Sequence, residues 1–75
     1  MERNLVGPRV KAVRKQAKPP ITQNELAARL QVMGIRMDQG TISRIERAVR
    51  PVFDFEAVAL AKALGVPLGS LFQEE

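Results

Sequence analysis

Apolar residues recur along the chain at intervals of three and four, and Pro and Gly cut this pattern into five short helical stretches. The first begins near Gly7-Pro8, where Pro is pre-set for the first helical position, and runs to about Ala17. Val10, Val13 and Ala17 form its inward stripe, while Lys11, Lys15 and Lys18 keep the same spacing on another face. Pro19-Pro20 stop it, because Pro19 disfavours α geometry at Lys18.

The second stretch has the clearest start. Thr22-Gln23-Asn24-Glu25 matches a capping box: the Thr22 hydroxyl can accept from the Glu25 N–H, and the Glu25 carboxylate can reach back to Thr22. Ile21 is placed to close over Leu26 as a staple, and Leu26, Ala27, Leu30 and Met33 are the expected buried positions. Gly34 suits the residue past the helix end. Ile35-Arg36-Met37 reads as a short extended link, and Asp38 as the next N-cap. The third helix is expected from Gln39 to about Val49, with Ile42, Ile45 and Val49 inward and Pro51 ending it. A fourth is expected from Asp54 to Leu64, offering Phe55, Val58, Ala59 and Leu64 to the core, with Gly65 as its stop. The last begins at Pro67 and includes Leu68, Leu71 and Phe72. No segment alternates as a strand does. The expectation is an all-α, compact five-helix domain over residues 1–75, with its core at about 7–72.

Length and composition narrow the chemistry. A chain of 75 residues has material for one core and no large ligand cavity, since one this small buries only about 60% of its unfolded surface. Without Cys there is no disulfide or thiolate metal site, and without His the commonest general base and metal ligand are missing. Neither metal nor cofactor is implied. Asp54 and Glu56 lie two apart and do not face each other on a helix; they suit the dipole of the fourth helix better than acid–base work. Ser43 and Ser70 have no evident base, so the expectation is a protein without enzymatic activity. No apolar run approaches the ~20 residues of a membrane span, and the first residues lack a signal peptide's apolar stretch. The expected location is the cytoplasm, at the nucleoid.

Charge adds a direction. The formal net charge of +4 divides into +5 over residues 1–18, +2 over 19–50 and −3 over 51–75. A basic first half suits a polyanion and an acidic last third stays away from it, although Lys and Arg that simply solvate a helix face would give the same count.

The second and third helices carry the functional signal. Gln23 and Asn24 stand in the first turn of one; Gln39, Gly40, Thr41, Ser43, Arg44 and Arg47 are left outside the buried stripe of the other. A helix in the DNA major groove needs polar groups near its N-terminus, where Gln can pair with adenine and Arg with guanine through two bonds each. Gly40, Thr41 and Ser43 are small enough for close approach, and both helix N-termini offer N–H groups to phosphates. On any isolated helix Gln39 and Arg44 read better as solvated side chains. Two capped helices in tandem on a basic scaffold favour DNA.

Thr22-Gln23-Asn24-Glu25-Leu26-Ala27, Thr41-Ile42-Ser43-Arg44-Ile45-Glu46 and Ala61-Lys62-Ala63-Leu64-Gly65-Val66 together resemble, in order, the motifs of the phage-repressor and Cro-like helix-turn-helix family, the XRE group. The resemblance spans about residues 7–72 and implies a lambda-repressor-like fold and sequence-specific binding of double-stranded DNA, as a transcriptional regulator, a repressor, dimeric on an inverted-repeat operator. It implies that Gln39, Gly40, Ser43 and Arg44 face base edges and that Thr41 lies nearer the backbone. Arg47 and Arg50 would touch phosphates, with Asn24 in the same class, and Gln23 would contact a phosphate or brace the third helix. Arg14 and Glu46 match the family's partly buried ion pair. The sequence departs from the pattern twice. Gln31 to Met37 lengthen the second helix, the turn or both, which brings in Arg36; and Ala48 stands where many members have a helix-ending Gly, which lets the third helix continue and shifts Arg50.

The apolar segment Val66, Leu68, Leu71 and Phe72 exceeds what one short helix needs to bury, and is the expected homodimer interface. The rival reading is an antitoxin-type or other interaction module that binds a toxin-like protein partner through the fourth and fifth helices. No small-molecule ligand is expected.

Overall fold

The computed structural model describes residues 6–72. Within them lie four α-helices, α1 (Val6–Gln16), α2 (Gln23–Val32), α3 (Gln39–Glu46) and α4 (Asp54–Leu64), followed by a 3₁₀ turn at Leu68–Leu71. The described residues contain no strand. The fifth expected helix is thus a single tight turn, and among the described residues no helix is long and apolar enough to cross a membrane.

Each boundary has a local cause. At α2 the Glu25 N–H donates to Thr22 Oγ1 at 3.0 Å and the Thr22 N–H to Glu25 Oε1 at 2.8 Å, which completes the capping box. Gly34 then takes a left-handed φ of 85°, and the Ile35 N–H reaches back to the Leu30 carbonyl at 2.9 Å. This is a Schellman closure, and Gly65 ends α4 in the same manner at φ 75°. Asp38 caps α3 by accepting from the Thr41 N–H at 2.8 Å; that N–H also holds the Asp38 carboxyl below its ordinary range.

The end of α3 corrects the sequence expectation. Ala48 does not extend the helix: it adopts φ 63°, and the Val49 N–H bonds to the Arg44 carbonyl at 3.0 Å. Ala48 therefore does the work of the family's Gly, and α3 stops at Glu46. Val49 points outward, 65% exposed, instead of joining Ile42 and Ile45.

Val10, Leu26, Leu30, Met37, Ile42, Ile45, Leu60 and Leu71 form the fully buried centre. Around them α1 packs on α3, α4 and the 3₁₀ turn, and α2 packs on α3 and α4. Met37, in the link, is buried among helical residues, so the extended backbone before α3 contributes to the core as well as connecting it. On α4 the buried face is Ala57, Ala59, Leu60, Ala61, Ala63 and Leu64, mostly small. Phe55 and Val58, expected inside, are exposed, and so is Met33 of the α2 end. The Ala-rich side of α4 lets the helix come close, and the bulky residues fall on the other side.

Candidate nucleic-acid interface

Since α3 buries Ile42, Ile45 and Glu46, its opposite side carries Gln39, Gly40, Ser43, Arg44 and Arg47. Gln39, Arg44 and Arg47 are exposed and Gly40, Thr41 and Ser43 partly so. A β-carbon at position 40 would meet nothing nearer than 3.6 Å, so Gly40 keeps this surface low without being sterically required. Arg44 Nη2 leans on Thr41 Oγ1 at 3.3 Å, and Arg47 Nε on the Ser43 carbonyl at 3.4 Å. Both guanidiniums keep further N–H groups for an external acceptor.

Beneath this face lies a polar chain that begins in the core. Arg14 donates through Nε to Glu46 Oε2 and through Nη2 to Glu46 Oε1, both at 2.8 Å, and through Nη1 to the Ile21 carbonyl at 3.0 Å. The pair is largely buried, with side chains 10% and 2% exposed. Burial works to raise the Glu46 carboxyl, but hydrogen bonds from Arg14 and Gln23 more than offset it, and the group stays below its ordinary range. The same hydrogen bond holds the Arg14 guanidinium more firmly protonated than usual. Gln23 Nε2 also donates to Glu46 Oε1, at 2.9 Å, and Gln39 Nε2 donates to Gln23 Oε1 at 2.5 Å. Gln23 therefore braces α3 from the first turn of α2. Asn24 beside it is exposed, as are Lys11 and Lys15 of α1 and Lys18 just beyond it.

Arg50, expected at a phosphate, is held against the start of α4. Its Nη1 and Nη2 donate to the two Glu56 oxygens at 2.9 and 3.0 Å, its Nη1 also donates to the Pro51 carbonyl, and its guanidinium carbon lies 5.9 Å from the Phe53 ring centre. The Arg50 guanidinium holds the Glu56 carboxyl below its ordinary range, aided by the Phe53 N–H. Arg50 thus ties the chain that follows α3 to the start of α4.

The C-terminal segment divides. Leu71, expected at a subunit interface, is 0% exposed and belongs to the core, because the 3₁₀ turn folds it against α1 and α4. Leu68 and Phe72 are exposed and Val66 is partly buried. A second apolar set, not anticipated from periodicity, comprises Val49, Phe53, Phe55 and Val58, with the Phe53 and Phe55 rings stacked at 6.5 Å. Among the described residues no cluster of acidic side chains could hold a metal.

Two capped helices joined by a turn, the second with a polar outer face braced by the first, define a helix-turn-helix protein. The helix-turn-helix family model matches residues 10–71, and the chain belongs to this family, of the XRE or lambda-repressor-like type. At that level it is a DNA-binding transcription regulator, and its partner is double-stranded DNA. No match is found among curated proteins or among solved structures.

Proposed function

We propose that this protein is a sequence-specific repressor that binds an inverted-repeat operator as a dimer. The observation that carries the reading is the exposed row Gln39, Ser43, Arg44 and Arg47 on α3, held at its N-terminal end by Gln23 of α2. Laid in the major groove, this row puts Gln39, Gly40, Ser43 and Arg44 at base edges, near the end of the helix that such docking uses. Thr41, Arg47, Asn24 and the outer edge of Gln23 then face phosphates, with the exposed Lys11 and Lys15 of α1 adding positive charge.

A dimer places two copies of α3 one helical turn apart, at about 34 Å. Val66, Leu68 and Phe72 are the apolar residues offered for the contact, Leu71 being occupied in the core. A second reading is favoured by the exposure of Phe55 and Val58 on α4, where a partner protein would seat in the antitoxin manner.

Selection from a random duplex library at near-physiological salt tests the proposal. An enriched inverted repeat supports the dimeric repressor, and an enriched single half-site removes the dimer. No enrichment by folded protein overturns sequence-specific regulation.

A further inference from the structure

The link between α2 and α3, where the sequence departs from the family pattern, holds an open groove of about 500 Å³. Gln31 of α2, Ile35, Arg36, Met37 and Asp38 of the link, and Thr41 of α3 line it. Its backbone has little freedom. Met37 is buried, the Ile35 N–H donates to the Leu30 carbonyl at 2.9 Å, and the Met37 N–H donates to the Ile35 carbonyl at 3.1 Å. Both neighbours of Arg36 are therefore tied down. The Arg36 side chain itself is exposed, and its guanidinium donates to no described residue.

The polar groups of the groove do not balance. Arg36 brings five N–H donors and no acceptor. Thr41 Oγ1 already accepts from Arg44 Nη2 at 3.3 Å, which leaves its hydroxyl proton to give. The exposed Gln31 amide can add another donor. Asp38 is the one carboxylate among the lining residues, and it is committed: Oδ1 accepts the Thr41 N–H at 2.8 Å, and the Arg44 charge attracts it as well. What remains on offer is a set of donors around one full positive charge, which suits an anion with several oxygens.

We propose that this groove seats one phosphate of the DNA backbone, held by the Arg36 guanidinium and the Thr41 hydroxyl. This rests on the reading of α3 as the helix that enters the major groove. The phosphates of the two strands form the rims of that groove, and the link is the stretch that carries the chain over a rim into α3. Arg36 is the only cation between Met33 and Asp38. A phosphate held there sets the register of the protein on the duplex and carries no sequence information. Arg36 reads no base, and its loss leaves α3 in place.

The test uses a duplex that the wild type enriches from the random library, made as a series in which one phosphate at a time is replaced by an uncharged methylphosphonate. Affinities of the wild type and Arg36→Ala are compared across the series, and circular dichroism with the thermal midpoint confirms that the variant is folded. Arg36→Ala is expected to bind all sequences about three- to tenfold more weakly, with base preferences unchanged and a less steep salt slope. In each half-site, one phosphate whose neutralisation weakens the wild type should no longer matter to the variant, while the other phosphates keep their effect. If both proteins lose affinity at the same phosphates, Arg36 holds none of them and the proposal is overturned. A changed base preference in Arg36→Ala overturns it too, because a phosphate contact carries no sequence information. If the folded wild type enriches nothing, the regulator reading fails first and takes the phosphate seat with it.

Discussion

The backbone of Gly7 lies flush against the Ile45 carbonyl, so close that a β-carbon at position 7 would overlap the Ile45 oxygen. This contact joins the first turn of α1 to the last turn of α3, and the obstructing atoms are main chain, which cannot rotate away. Gly7→Ala should destabilise the fold by about 1–3 kcal/mol, the usual range for overfilling a packed site. A urea midpoint unchanged from wild type would show that α1 can shift at no cost.

Arg14 and Glu46 predict a larger effect and a pH dependence. Removing Glu46 leaves a buried guanidinium without its partner, and Glu46→Ala should cost roughly 3–5 kcal/mol in equilibrium unfolding. Glu46 and Glu56 are both held below the ordinary range in the fold. An unfolded glutamate takes its proton near pH 4.5, whereas these release theirs to a lower pH when folded. Their stabilisation is therefore complete above that value and is lost as the pH falls through the depressed folded values. Urea titrations from neutral pH downward should show stability falling below about pH 4.5, with a shallower fall in Glu56→Gln.

Ala48 predicts a gain. Left-handed backbone costs a residue bearing a β-carbon roughly 1–2 kcal/mol, and Gly escapes this while losing more chain entropy on folding. Ala48→Gly should stabilise the protein by about 0.5–1 kcal/mol. The thermal midpoint should rise; a fall would mean that α3 does not end on a left-handed residue in solution.

On DNA, Arg44→Ala should cost about 1–3 kcal/mol and relax one base preference, whereas Lys15→Ala should weaken every sequence slightly and to the same extent. Affinity should drop steeply with salt because phosphate contacts release counterions, and the slope should become less steep in Lys15→Ala. Equal weakening of all duplexes by Arg44→Ala would remove Arg44 from the base-reading set.

The parts of the fold visible in the sequence are those with a local cause. Thr22 with Glu25, Asp38 before α3, and Gly34 and Gly65 after α2 and α4 each act within a few residues, so spacing alone exposes them. Ala48 escaped because its left-handed turn lacks the usual Gly. Met37 escaped because a link carries no period to betray burial. On α4, two apolar sides satisfied the same periodicity, and only the approach of α1 and α2 chose Ala57, Leu60, Ala61 and Leu64 over Phe55 and Val58. At the site, the polar row of α3 was readable from its own helix. The Glu46–Gln23–Gln39 contacts join residues 16 and 23 positions apart, and Arg50 with Glu56 crosses a helix boundary; such pairings are decided by tertiary packing.

Burial of Met37 has one more consequence. Leu30 anchors the last turn of α2 and Met37 anchors the chain again before α3, so both sides of the lengthened turn are pinned to the same core. Val32, Met33 and Arg36 lie between those pins, exposed to solvent. Mutational drift can rewrite these three positions while α3 keeps its place, which makes the turn a stretch where surface character can change without disturbing the exposed row of α3.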